Sequence, residues 1–457
     1  MAVCGHKLKK LQKQIRVCGI KGLSLHPQTQ GQIPEWTNGA DCKSAGFRLR
    51  WFESIFAHIH DLKGVLGFFL HLLFTLFPFM RSFVLQVLML SLSLSALAQP
   101  DLVSKSQKAN ADTRVSTPFE PVFTILCQNP ITSVKDQHRS GTCWDYATLA
   151  FFESEILRKS GRSFDLCEMF VANKDYMDCA THYVRMHGLS ELTQGGSADD
   201  VLAVLRNHGI CPEEAMPAPG SLVGDTLANF DSFFPLYETL VRRMVPARSK
   251  HPARGWQDSV QHVIDSHLGT CPDQFTYQGK TYTPRSFADQ LGLDWDDYVS
   301  LTSFTHHPYH RWFVIESPYK WRLKPSYNLP LDTLVQILDQ ALEAGYCVAW
   351  GGDVSGDFSY RGIGDLSRDV QPTPQVRQAL FDNWTFTYDH VMLIYGKAKD
   401  QTGKRYYLVK NSWGQRAGYD GSWYLSEDYI RLFTTYLFLN RQALSPQLRS
   451  LLTSHSF

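Results

Sequence analysis

Lys135-Asp136-Gln137-His138-Arg139-Ser140-Gly141-Thr142-Cys143-Trp144 is a polar loop containing a glycine, and Asp145-Tyr146-Ala147-Thr148-Leu149-Ala150-Phe151-Phe152 follows it without Gly or Pro. This change of composition predicts a loop turning into a helix, with Cys143 in its first turn. Unpaired amide N–H groups and the positive end of the helix dipole favour a thiolate there, which makes Cys143 a candidate nucleophile. Residues 144–157 are largely apolar, so the helix is expected to be mostly buried, and Lys159-Ser160-Gly161 supplies its stop. A free cysteine can also be packed as a small hydrophobe, so the Cys143-Trp144 pair alone does not decide the chemistry.

Downstream, Asp389-His390-Val391-Met392-Leu393-Ile394-Tyr395 and Tyr406-Tyr407-Leu408-Val409-Lys410-Asn411-Ser412-Trp413-Gly414 flank the turn Asp400-Gln401-Thr402-Gly403. Both runs read as strands of one hairpin. A thiol nucleophile needs a base to take its proton and later return it to a leaving amine, and the base needs an orienting partner. Pairing of the hairpin can bring Asn411 beside His390, and Trp413 can shield that contact from water. Gln137 can offer an amide N–H to a developing oxyanion alongside the Cys143 backbone N–H.

Gln137 with Cys143-Trp144, Asp389-His390 and Asn411-Ser412-Trp413-Gly414 resemble the motif blocks of the papain-like cysteine peptidases, in order and in internal spacing. The resemblance implies an α+β fold of two lobes, one helical and one a small antiparallel β-barrel, with a cleft between them. It implies catalysis by Cys143, His390, Asn411 and Gln137 on peptide substrates, with Trp144 and Trp413 in support and with no cofactor and no metal. Gly195, Gly196 and Asp389 are the expected substrate-binding residues. Gly195-Gly196 also reads as an ordinary turn on sequence alone.

Papain-type enzymes place the His roughly 130–150 residues after the Cys. Here the interval from Cys143 to His390 is 247 residues. A long insertion of this kind resembles the bleomycin hydrolase and aminopeptidase C branch. Gly195-Gly196-Ser197, Gly209-Ile210-Cys211-Pro212, Val348-Ala349-Trp350-Gly351-Gly352-Asp353-Val354 and Tyr436-Leu437-Phe438-Leu439-Asn440-Arg441 resemble that branch too. The peptidase domain is accordingly expected over 126–445. Its insertion over 212–330 builds oligomer contacts in the branch, which implies a homo-oligomer, a hexamer by analogy.

Three departures bear on what carries over. Asp145-Tyr146 stands where the family has an apolar or small residue and then Phe, so a carboxylate is expected near the thiol, either raising its pKa or facing solvent. Cys167 stands where the branch has a serine. In that branch a C-terminal arm lies in the cleft and its carboxylate recruits the free amine of a peptide; here residues 446–457 form a short tail. The implied activity is an aminopeptidase acting on short peptides. An endopeptidase of the same fold and an inactive peptide-binding scaffold are the alternatives.

The composition, 44% hydrophobic and 19% charged, is globular. Residues 1–79 do not fit it: they are basic at the start, and Pro34-Glu35-Trp36-Thr37-Asn38-Gly39-Ala40 onward resembles the translation of a bacterial tRNA gene. A start at Met80 gives a basic n-region, an apolar run over 83–94 and Ala96-Leu97-Ala98, the pattern of a signal peptide over 80–98. The mature chain is then expected to begin at Gln99, exported to a bacterial periplasm or the exterior, without stable membrane association. If Met1 is the start, residues 65–98 form an apolar membrane anchor instead.

Residues 99–457 hold 34 Lys+Arg against 40 Asp+Glu and carry no basic nucleic-acid footprint. Residues 99–125 read as a linker. Seven cysteines follow residue 98, none with metal-ligand spacing, and an oxidising compartment would permit disulfides among the six other than Cys143. The cluster His306-His307-Pro308-Tyr309-His310 reads as surface or core histidines rather than ligands. Ser197 is expected to cap a helix over 198–208, and Leu331, Leu334, Val335, Leu338 and Leu342 line one face of another.

Overall fold

The computed structural model describes residues 120–453 apart from 217–221, 224–226, 249, 355–357, 360 and 367–369. The tract 1–79 and the expected signal peptide lie outside the described residues, as does the linker up to residue 119. The linker's last residues already belong to a strand, β1 (Thr124–Gln128).

Five helices pack on one another, α1 (Cys143–Ser160), α2 (Glu168–Arg185), α3 (Ala198–His208), α4 (Phe233–Met244) and α5 (Trp256–Leu268), and a sixth, α6 (Leu331–Glu343), lies against the sheet. Helix α1 begins at the cysteine, as its sequence predicts. It ends at Gly161, whose φ of 69° lets its N–H turn back to the Leu157 carbonyl at 2.8 Å. Every residue from Cys143 to Ile156 is buried, the polar Asp145, Thr148, Glu153, Ser154 and Glu155 included, because α1 lies inside the molecule. Helix α3 starts after Ser197, whose backbone N–H donates to Asp200 Oδ2 at 2.7 Å, and the five predicted apolar positions of α6 are all buried.

The sheet is made of β1, β2 (Tyr298–Thr302), β3 (Trp312–Phe313), β4 (Ser326–Asn328), β5 (Val348–Gly352), β6 (Phe358–Ser359), β7 (Ile363–Gly364), β8 (His390–Lys399), β9 (Arg405–Lys410), β10 (Ser422–Ser426) and β11 (Thr434–Asn440). Its order is β6-β7-β10-β9-β8-β5-β11-β2-β4-β3, with β1 alongside the second half of β8. Here the expected barrel needs correction: the described strands form an open path that does not close. Residues 298–328 supply three of them, β2 to β4, which prolong the sheet beyond β11. Phe151 and Phe152 of α1 meet Tyr298 of β2 and Phe438 of β11 edge-on, centroids 5.0–6.2 Å apart, which seats the helix on the sheet.

The predicted hairpin is β8–β9. Asp400 Oδ1 accepts from the backbone N–H groups of Thr402 and Lys404 at 2.8 and 3.0 Å, so the side chain itself closes the turn. The β8–β9 ladder runs from Lys399–Arg405 to Leu393–Lys410, and Asn411 is the first residue past its end. Among the described residues all seven cysteines are free, and no helix is long and apolar enough to cross a membrane.

Candidate active site

Cys143 stands at the start of α1 with 8% of its surface exposed, and its sulfur faces the backbone N–H of Val391 on β8. Burial pushes the thiol up to about 12; the N–H groups of Val391, Trp144 and Cys143 pull the other way, and the nearby Asp389 charge adds to the rise. Burial thus opposes the thiolate that the helix terminus favours.

Trp144 is fully buried and donates its indole N–H to the Gln194 carbonyl at 2.9 Å, while Gln194 Oε1 accepts from Gly141 N at 2.8 Å. Gln194 thus clamps both sides of the cysteine loop. Gly195 and Gly196 are glycines because aromatic rings fill the space of a side chain: a Cβ on Gly196 would lie 2.8 Å from the Trp144 ring, and one on Gly195 2.4 Å from the Tyr319 ring.

His390 opens β8 and is 4% exposed; its Nε2 lies 2.8 Å from Asn411 Oδ1. Which amide atom faces the ring follows from a second contact, since Asn411 Oδ1 also accepts from the Ser412 N–H at 2.8 Å. The oxygen therefore points at His390, Nε2 carries the proton, and Nδ1 keeps its lone pair. The Trp413 ring lies 4.9 Å from the imidazole and tilts 37° over it, as the sequence suggested. Burial holds His390 down at about 4, with the Asn411 bond opposing, so the ring is neutral at neutral pH. Among the described residues no hydrogen bond joins the thiol to the imidazole directly.

Gln137 is buried, and its amide is oriented from both ends. Oε1 accepts from the Ser412 hydroxyl at 2.6 Å and Nε2 donates to the Ser140 carbonyl at 2.6 Å, leaving one N–H of the amide with no protein partner among the described residues. The backbones pair as well: Gln137 N donates to Ser412 O at 2.8 Å and Gly414 N to Lys135 O at 3.1 Å.

Asp389 is exposed beside His390, with Oδ1 accepting from Val354 N at 3.0 Å. Asp145 follows neither course expected of it. It is 0% exposed, both of its carboxylate oxygens lack a hydrogen-bond partner, and burial raises its pKa well above the carboxylate range. It sits within the helical side among Glu168, Asp175 and Lys135, not over the thiol. Sequence reasoning missed Gln194, Tyr319 and the Ser412 hydroxyl. Only Ser412 carried a signal, its place between Asn411 and Trp413.

A model of the Peptidase C1-like family matches residues 95–456. The chain belongs to this family. An aminopeptidase C of Lactobacillus helveticus is 21% identical over 394 residues, 75% of this chain and 86% of the relative. One from Streptococcus thermophilus is 22% identical over 367 residues, 69% of this chain and 81% of the relative. The crystal structure of PepW from Lactobacillus rhamnosis superposes with a TM-score of 0.58 at 19% identity, over 74% of this chain and 85% of that one. The fold is thus papain-like and α+β, and the chain is a cysteine peptidase related to the aminopeptidase C branch.

Proposed function

We propose that the protein is a cysteine aminopeptidase that hydrolyses short peptides through a Cys143 thioester. The observation that carries this reading is the tautomer of His390: with its Nε2 proton held by Asn411, the basic Nδ1 is left free for the Cys143 thiol.

In the proposed reaction the Sγ proton passes to His390 Nδ1 and the sulfur attacks the peptide carbonyl carbon. Burial of both groups disfavours their charged forms before the attack. The oxyanion takes the Cys143 backbone N–H and the free N–H of Gln137. His390 returns its proton to the departing amine and a thioester remains. Water, deprotonated by His390, then releases the acid and restores the thiol. Asn411 and Trp413 hold the imidazole throughout. Asp389, with the backbone of Gly195 and Gly196, binds the peptide. The pattern over 80–98 supports export with cleavage before Gln99.

The test compares a fluorogenic peptide bearing a free N-terminus with its N-acetylated twin, with Cys143→Ala as control. Turnover of the free-amine substrate alone is expected; equal cleavage of both would make the protein an endopeptidase. Activity surviving in Cys143→Ala would overturn the mechanism.

A further inference from the structure

The loop that follows β2 gathers two histidines and a glutamate on the surface, 306, 307 and 316, with all their candidate ligand atoms within 4.8 Å of one another. His306 Nε2 lies 3.0 Å from Glu316 Oε2, and His307 Nε2 lies 3.0 Å from Glu316 Oε1. The sequence hides this grouping, because Glu316 stands nine residues beyond His307 and on the far side of β3.

Both ring nitrogens of His306 face oxygen atoms. Its Nδ1 is 3.2 Å from Gln378 Oε1 on α7 (Pro374–Asp382). The Gln378 amide cannot be turned over: Oε1 accepts from Thr305 N at 2.7 Å and Nε2 donates to Asp382 Oδ1 at 2.7 Å. An oxygen acceptor therefore faces each ring nitrogen, while a neutral imidazole has a single N–H to give. With that proton on Nδ1, the Nε2 lone pair points at a carboxylate oxygen, and a cation between them turns this opposition into ligation. A histidine whose second nitrogen donates to a fixed oxygen is the usual arrangement of a metal ligand. Adjacent donor atoms around tetrahedral zinc lie about 3.3 Å apart, given zinc–ligand bonds of about 2.0–2.1 Å. The two 3.0 Å separations are close to this.

The loop is also built before any ion arrives. The fully buried Asn328 donates through Nδ2 to the carbonyls of Phe304 and His307 at 2.8 and 2.9 Å, and its Oδ1 accepts from Phe304 N at 2.9 Å. The His307 ring stacks on Phe313 with centroids 4.2 Å apart. The ligands need little rearrangement, which lowers the cost of binding.

We propose that His306, His307 and Glu316 form a site for one divalent cation of the zinc type, completed by water and separate from the Cys143 centre. The ion ties His306 and His307 to Glu316 across β3.

The probes are Co²⁺ and Zn²⁺ added to the metal-free full chain. One equivalent of Co²⁺ is expected to give ligand-field absorption without a thiolate charge-transfer band, and Zn²⁺ to raise the melting temperature by several degrees. Glu316→Gln, which conserves shape at an exposed position, and His307→Ala should each weaken Co²⁺ binding at least tenfold and abolish the Zn²⁺ shift, whereas Cys143→Ser should retain both. Circular dichroism of Glu316→Gln verifies that the loss is not one of folding. The proposal fails if the unaltered chain shows neither signal, if both variants bind as it does, or if the cobalt spectrum carries a thiolate band that vanishes in Cys143→Ser.

Discussion

The Ser412 hydroxyl donates to Gln137 Oε1 across 2.6 Å, joining the segment that carries Asn411 to the loop that carries Cys143. Together with the Nε2 bond to the Ser140 carbonyl, this bond sets the direction of the Gln137 amide, occupying the oxygen and leaving one N–H to face the substrate. Ser412→Ala removes that donor and leaves a buried acceptor unmatched, a change of about 1–3 kcal/mol. The expected outcome is a kcat lowered at least tenfold while Cys143 alkylation by iodoacetamide keeps its rate. A parallel loss of alkylation would mean that the serine acts on the thiol instead.

Asn411→Ala frees the His390 proton to move between the two ring nitrogens. Peptide turnover should fall by ten- to a thousandfold, with the far-ultraviolet dichroism unchanged, and Asn411→Gln should not restore it because the amide would sit one bond too far along. Full activity in Asn411→Ala would remove the tautomer argument.

His390 makes stability depend on acidity. Its folded value is about 4 against an ordinary 6.5, so below pH 6.5 the unfolded chain takes up a proton that the native chain refuses until about pH 4. Stability attributable to this residue is present above 6.5 and lost as the pH falls toward 4, in all on the order of 3 kcal/mol. Urea midpoints measured at pH 7 and pH 4.5 should fall less in His390→Gln than in the unaltered chain. Equal falls would place the sensitivity elsewhere.

Asp145 acts with the opposite sign. Its folded pKa is raised, so the native chain keeps a proton that the unfolded chain releases above about pH 4, and stability drains away as the pH rises. Asp145→Asn cannot ionise. Its stability relative to the unaltered chain should improve steadily from pH 5 to pH 8 in chemical denaturation, and parallel profiles would show that the carboxyl is ionised in the fold after all.

What could be read from the sequence was local. The start of α1 at Cys143, its stop at Gly161 and the turn at Asp400 are decided by residues within a few positions of one another. The four proposed catalytic side chains were legible because their blocks keep fixed internal spacing. The direction of the Gln137 amide was not, since Ser412 lies 275 positions away. Nor was the fate of Asp145: a helix of apolar residues does not reveal which face meets the cleft when all of them are buried. The open sheet escaped notice because β2 to β4 are short strands that carry little periodicity.

Strand β11 lies between β5 and β2, at the heart of the sheet, and its Asn440 donates to Glu155 on α1 at 2.6 Å. Nucleophile, base and amide all precede it in the chain. A nascent polypeptide that has emerged as far as residue 430 holds every reacting group and still lacks the strand that ties the two ends of the sheet together. Until β11 is made, β5 and β2 have no strand between them to pair with.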